Sequence, residues 1–239
     1  MSKHYKFILT PMSTILEEAI QASSGIGNGI ETYPLCDYIM QSIFLKMTGY
    51  QEQKMKCIAW EIATNDFEYR RKLLNNDDKL GECSTYIAKN KIYKVLYEQI
   101  TNMDPHYKIE EDIKEKMKIN SFDKVIDMFI DTNLATWNKK MFNEFQESII
   151  IKESQYLNNP NNLLENIIQE KYKELYNQRN RIAHNTQSYQ QNLPDFKKLS
   201  IEQDYSRNYF LWFSILLLID NIFIELFKTY IGLSESYVL

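Results

Sequence analysis

Glycine and proline are both scarce in this sequence, with six and five residues respectively among 239. Both residue types supply the turns that an architecture of many short strands needs. Their scarcity therefore favours long helices over a turn-rich β protein. Hydrophobic residues make up 44% of the chain and charged residues 25%, which is a composition typical of a globular protein that buries a core.

Cysteine is also rare, and the three that occur, Cys36, Cys57 and Cys83, are widely spaced with no Cys-x-x-Cys pair. An odd number of unpaired cysteines argues against a disulfide framework and against a zinc ribbon. The N-terminal segment has no apolar stretch long enough for a secretory signal peptide. We therefore expect free thiols and a cytoplasmic protein.

The sequence has no uninterrupted apolar run of membrane-spanning length. The longest extends from Tyr209 to Ile219, and the polar pair Asp220 and Asn221 follows it directly. A run of this length is too short to cross a bilayer, which needs about 20 apolar residues. We expect a buried core helix here, and no contact with a membrane.

Positive charge is in deficit, since the formal net charge is −4 and the pI is near 5.6. An extended nucleic-acid-binding surface normally needs a basic excess, so a compact site for one or two phosphates is the more plausible form. The densest basic run is Arg70, Arg71 and Lys72, next to Tyr69. A solvated helix face is the simpler interpretation of this run, and an RNA-contacting patch is the alternative.

Two segments resemble ligand sites but fit them poorly. Residues 25–29 contain three glycines, yet they match neither common phosphate-loop spacing and no strand precedes them, so we interpret them as a connector. Asp123, Asp127 and Asp131 share one helix face and could hold a divalent metal, as carboxylates do in helical bundles. The chain has no Glu-x-x-His motif, however, so a solvated face is the simpler interpretation. We expect no metal site and no cofactor.

The apolar periodicity predicts an all-α, up-and-down helical bundle with extra N-terminal helices, in one domain over residues 1–239. Thr14 and Glu17 suggest a capping box for the first helix, Thr48-Gly49 a break, and Ser121 a cap. Pro160 is well suited to the first position of a helix. The predicted helices span residues 14–22, 34–46, 51–74, a segment through 86–96, 121–149, a segment from 160 through 182, and 202–230.

The segment from Arg179 to His184 carries the most informative chemistry. If residues from Pro160 onward form one helix, an apolar stripe faces the core and the Arg179 stem lies about 50° from its centre, partly buried. His184 projects to the opposite side, on the same face as Asn180 four residues earlier. The stripe consists of Leu164, Ile168, Leu175 and Ile182.

An imidazole and a guanidinium are together sufficient for metal-free RNA cleavage. The pKa of histidine suits proton transfer near neutral pH, so His184 can act as general acid or base toward the ribose 2′-hydroxyl. Arg179 can hold the scissile phosphate and stabilise the phosphorane, with Asn180 orienting either group. Arg181 and Tyr176 are further candidates for contact with the RNA substrate. The alternative is an ordinary surface histidine and arginine near a helix C-terminus, where cations are favoured in any case.

The segment resembles the signature of the HEPN superfamily (higher eukaryotes and prokaryotes nucleotide-binding domains). In that signature an arginine, often followed by asparagine, precedes a histidine by four to six residues. Arg179, Asn180 and His184 match it with four intervening residues. The helical context also matches, from about Asn159 to Tyr230. The motif-bearing part of the domain is then about residues 121–230, with 1–120 as a helical elaboration. Members regulated by a partner nucleotidyltransferase usually carry tyrosine two residues after the histidine, where this chain has Thr186, although Tyr189 is nearby.

The resemblance implies a metal-independent endoribonuclease in which two copies of the motif meet across a homodimer interface. Members often serve as toxins, abortive-infection effectors or CRISPR-linked nucleases. We therefore expect cleavage of single-stranded RNA, in a toxin or antiviral-defence role, with an antitoxin or defence-system protein as a partner. The alternative is a non-catalytic helical module that binds nucleotides or partner proteins within such a complex.

Overall fold

The computed structural model describes residues 3–75, 83–184 and 208–236, whose regular secondary structure is helical except for one hairpin. The all-α prediction is confirmed. The helices are α1 Lys3–Leu9, α2 Ser13–Ser23, α3 Tyr33–Asn65, α4 Phe67–Leu74, α5 Tyr86–Met103, α6 Glu111–Phe129, α7 Asn133–Trp137, α8 Lys139–Gln146, α9 Asn166–His184 and α10 Tyr209–Ser236, with a 3₁₀ turn at Ile30–Thr32. The hairpin consists of β1 Tyr156–Asn159 and β2 Asn162–Leu164.

Helix α10 lies at the centre of the bundle, in contact with α3, α5 and α6. Helices α3 and α10 run parallel. Phe44, a third of the way along α3, packs on Trp212 near the start of α10, and the Asn65 amide at the end of α3 donates to the Tyr230 hydroxyl near the end of α10. The core formed around α10 draws on residues from Ile8 to Ile231.

Helix α6 runs antiparallel to α10, which gives the bundle its up-and-down character. The Asn221 amide donates to the Ser121 hydroxyl in the middle of both helices, at 3.1 Å. Phe129, at the end of α6, packs edge-on against Phe210 at the start of α10, with ring centroids 5.1 Å apart.

The apolar run of α10 is longer than the sequence suggested. A segment of 27 residues, Tyr209–Glu235, has the length of a membrane-spanning helix, and its most apolar 18-residue window has a mean hydropathy of 2.0. Asp220 and Asn221 do not interrupt it, because Asp220 is paired with Lys54 inside the core. Since 89% of the most apolar window is buried within the protein, the prediction of a core helix is confirmed.

The predicted break at Thr48-Gly49 is wrong. Helix α3 is continuous through Gly49, because burial of the side chains around it outweighs the roughly 1 kcal/mol by which glycine disfavours a helix interior. The actual break comes later, at Asp66. There the chain becomes extended, and the Asp66 carboxylate accepts the Tyr69 N–H at 3.0 Å as the N-cap of α4.

The predicted cap at Ser121 is also wrong, since α6 begins ten residues earlier, at Glu111. Ser121 is buried inside the helix, and its hydroxyl donates to the Met117 carbonyl. The single predicted helix over 121–149 is instead the end of α6 followed by two short helices. Thr132 separates α6 from α7, because its hydroxyl oxygen accepts the Ala135 N–H and caps α7.

Pro160 does not begin a helix, because it lies in the turn between β1 and β2. Leu164 therefore belongs to β2, where it pairs with Tyr156, and α9 begins at Asn166. At the other end of the chain Thr14 lies inside α2, whose N-cap Met12 offers no side-chain hydrogen bond, so the capping box is absent. The capping signals at Thr14, Ser121 and Pro160 therefore misplaced the helix starts.

Candidate functional site

Helix α9 carries the Arg179–His184 segment and presents its two sides as expected. Ile168 and Leu175 are buried, Arg179 retains 25% side-chain exposure, and His184 is exposed at the helix end. Ile182 is only partly buried, so the apolar stripe weakens toward the segment. The buried side also includes two polar residues that the periodicity did not identify, Tyr172 and Gln178.

Arg179 lies between its neighbour on α9 and a carboxylate on α3. One terminal nitrogen donates to the Asn180 side-chain oxygen at 2.9 Å, and the other lies 3.6 Å from a Glu52 oxygen. Glu52 also accepts a hydrogen bond from Lys56 at 2.8 Å. Two cations, Arg179 and Lys56, therefore share one half-buried carboxylate.

A third cation lies in the interior beside this group. Lys89 of α5 is almost fully buried, and its ammonium donates to the Cys83 carbonyl at 3.0 Å. The ammonium also lies 5.9 Å from the centroid of the Tyr172 ring. Burial, the largest effect, and the positive charge of Arg179 lower the pKa of Lys89 to about 7, although Cys83 and Glu52 act to raise it.

Tyr172 joins α9 to the start of α5. Its hydroxyl donates to the Ser84 carbonyl at 2.7 Å, and burial raises its pKa above the ordinary value. The hydroxyl therefore stays protonated and acts as a hydrogen-bond donor, which fixes the rotation of α9 about its axis. That rotation turns Arg179 toward α3 and leaves His184 outside.

His184 does not join the Arg179 cluster. Within residues 3–75, 83–184 and 208–236 the imidazole makes no hydrogen bond or ion pair, and the same holds for Arg181. Asn180 and His184 lie one turn apart on the same helix face. Tyr176 is partly buried against the core. Thr186 and Tyr189 lie outside the described residues.

The acidic face proposed as an alternative metal site is split. Asp123 and Asp127 line a cleft of about 570 Å³ between α6 and α10, whereas Asp131 lies in the turn after α6. Lys124 and Lys228 line the same cleft and offset the negative charge. In the part of the chain that the structure describes, no three His, Cys, Asp or Glu side chains are grouped as metal ligands would be.

The sequence did not indicate that Glu52, Lys56 and Lys89 would lie around Arg179. Glu52 and Lys56 form an i,i+4 pair, which on any helix is first read as a solvated ion pair. A lysine such as Lys89, between Ala88 and Asn90, carries no local sign of burial. Only the packing of α3, α5 and α9 brings the three together.

No protein-family model matches the chain, and neither a curated protein nor a solved structure matches it significantly.

Proposed function

We propose that the protein is a metal-independent endoribonuclease that cleaves single-stranded RNA at a composite site formed by two copies of the chain. The observation that carries the proposal is the arrangement on α9. An exposed imidazole, His184, shares a helix face with Asn180, whose side chain holds the half-buried guanidinium of Arg179.

The cleavage step uses one histidine from each subunit. A neutral His184 accepts the proton of the ribose 2′-hydroxyl, and the oxygen attacks the adjacent phosphorus. The bond between phosphorus and the 5′-oxygen then breaks, and the protonated His184 of the partner subunit donates a proton to the leaving oxygen. The products are a 2′,3′-cyclic phosphate and a 5′-hydroxyl. The step consumes no water, and the two histidines carry out the proton transfers without a metal.

Arg179 supplies the charge that the phosphorane needs. Its separation of 3.6 Å from Glu52 is longer than a hydrogen bond, so the carboxylate attracts the guanidinium without occupying its donors. A guanidinium offers several N–H groups in one plane, and a phosphate can accept two of them together. Asn180 keeps that plane in place through its 2.9 Å hydrogen bond.

A toxin or antiviral-defence effector in the cytoplasm, restrained by an antitoxin or another defence protein, is the biological setting that this activity fits. Unrestrained cleavage of single-stranded RNA is harmful to the cell that makes the enzyme. Arg181 and Tyr176, on the same helix, are the proposed further contacts for the RNA.

A second candidate is a non-catalytic helical module that binds a nucleotide or a partner protein. The observation that favours it is the ion pair between Arg179 and Glu52, which gives the arginine a structural function in joining α9 to α3. In that case removal of the His184 side chain would have no effect on RNA cleavage, because the protein would not cleave RNA.

Incubation of the purified protein with fluorescent single-stranded RNA in EDTA separates the two candidates. The nuclease predicts cleavage with a 2′,3′-cyclic phosphate end, unaffected by the chelator. Complete absence of cleavage, or cleavage that EDTA abolishes and Mg²⁺ restores, would contradict the proposal.

A further inference from the structure

Helix α4 exposes large apolar side chains that an ordinary surface helix would direct toward the core. Phe67, Arg70, Arg71 and Leu74 are spaced to share one face, and this face is exposed, with Phe67 at 64% and Leu74 at 76%. The residues directed inward are partly buried. Two large apolar side chains thus face outward among arginines.

The outward face is also cationic. The Arg70 guanidinium lies 5.4 Å from the centroid of the Phe67 ring, in cation–π contact. Glu68 is the single carboxylate of α4, and it is paired with Arg71 at 3.1 Å. Arg70 and Lys72 are therefore uncompensated within α4, on a chain whose net charge is −4.

A further aromatic ring, that of Trp60, is exposed near the end of α3. It lies in the last two turns before Asp66 and is 61% exposed, whereas Trp212 is buried and Trp137 is partly buried. We use "the α4 surface" for Trp60 at the end of α3 together with Phe67, Arg70 and Arg71 of α4. It combines two exposed aromatic rings with two cations.

The composition of the α4 surface favours one kind of partner. A stable protein interface buries about 800 Å² on each side, and the two exposed aromatic side chains of the α4 surface provide much less. An interfacial membrane helix is usually far longer than the eight residues of α4. Single-stranded nucleic acid, by contrast, is bound by aromatic rings that stack on bases and by cations along its backbone.

We infer that the α4 surface binds single-stranded RNA, with bases on Trp60 and Phe67 and phosphates on Arg70 and Arg71. The inference rests on the proposed function in that the bound strand is the substrate. Trp60 lies eight residues beyond Glu52 on α3, or about 12 Å along the helix axis, so the surface holds nucleotides flanking the scissile phosphate.

The test uses an RNA 12-mer with 2′-O-methyl groups, which lacks the nucleophilic hydroxyl and stays intact. Its affinity is measured by fluorescence anisotropy for the wild-type protein and for a Phe67→Ala/Arg70→Gln variant. We expect binding to weaken about tenfold, because both a stacking ring and a phosphate contact are lost. A Lys139→Gln/Lys140→Gln variant removes two exposed charges on α8 and should bind within twofold of wild type.

Tryptophan fluorescence supplies a second readout. RNA should quench the emission of the wild-type protein, and the quench should largely disappear in Trp60→Phe, while anisotropy still shows binding because phenylalanine also stacks. Circular dichroism checks that each variant is folded.

Equal affinity of the α4 variant and wild type would overturn the inference, as would an absence of RNA binding altogether. Binding of the wild-type protein to phosphatidylserine vesicles but not to RNA would overturn it in favour of a membrane. Loss of binding in the α4 variant, with no cleavage of ordinary RNA by the wild-type protein, would support the surface and contradict the nuclease.

Discussion

The Lys54 ammonium lies 2.5 Å from one oxygen of the Asp220 carboxylate, and both side chains are almost fully buried between α3 and α10. The other Asp220 oxygen accepts the Met12 N–H at 2.8 Å, and Lys54 also donates to the Thr10 carbonyl at 2.8 Å. Burial acts to lower the pKa of Lys54 and to raise that of Asp220, and the mutual attraction opposes both shifts. The pair fastens the turn between α1 and α2 to the bundle.

Removal of one member of this pair should be more damaging than removal of both. Asp220→Leu leaves the Lys54 ammonium buried without its counter-ion, and loss of one partner in a buried pair typically lowers the free energy of unfolding by about 3–5 kcal/mol. Lys54→Met/Asp220→Leu should recover most of that loss, measured by urea unfolding. A double variant as unstable as Asp220→Leu would show that the charges themselves are needed.

Lys89 should make the stability of the protein depend on pH. Because its folded-state pKa is about 7 and its ordinary value is 10.5, the folded chain binds fewer protons than the unfolded chain above pH 7. The free energy of unfolding should therefore rise with pH from 7 to 8.5, by at most about 1.4 kcal/mol per unit.

Lys89→Met isolates this contribution, since methionine keeps most of the side-chain volume. Between pH 7 and 8.5 the free energy of unfolding should rise more steeply with pH in the wild-type protein than in the variant. Buried tyrosines such as Tyr172 do not yet titrate in this range. Identical slopes would indicate that Lys89 remains protonated in the folded state.

His184→Ala should lower RNA cleavage by about 10²–10⁴-fold, the range for loss of a general acid or base. The midpoint of thermal unfolding should change little, because the imidazole is exposed. His106→Ala, which removes an exposed histidine from the turn before α6, is the matched control and should retain activity. Full activity of His184→Ala would refute the site assignment.

Glu52→Gln should strengthen RNA binding, because the carboxylate attracts the same guanidinium that a phosphate must contact. We expect roughly a threefold gain in affinity for the 2′-O-methyl RNA, in line with the small energies of partly exposed ion pairs. The control is Glu144→Gln on α8. It removes an exposed carboxylate that is paired with Lys140 rather than with Arg179, so it should change the affinity less. Weaker binding by Glu52→Gln would mean that Glu52 positions Arg179 rather than competes for it.

The protein should form a symmetric homodimer with the Asn180 and His184 faces of the two subunits in apposition. One chain offers a single exposed histidine near Arg179 and Arg181, and a two-fold axis doubles this set through one self-complementary contact. Light scattering gives the mass, and cysteine cross-linking of His184→Cys tests the apposition. A proven monomer with full cleavage activity would contradict this prediction.

Helix content, the core nature of α10 and the faces of α9 could all be predicted from the sequence. These features depend on local periodicity, which the chain carries within single helices such as the one ending at His184. Capping signals predicted less well. Ser121 and Pro160 have the right chemistry for helix starts, but packing placed the first inside a helix and the second in a hairpin turn.

By itself the sequence determined that Arg179, Asn180 and His184 share one helix, because contacts within four residues follow from helix geometry alone. It could not determine that Glu52 and Lys89, more than 80 residues away, would surround Arg179. Nor could it show that Phe67 and Leu74 of α4 would stay exposed. Those relations depend on how the helices pack around α10, and burial of the whole apolar surface, rather than any local pattern, decides that packing.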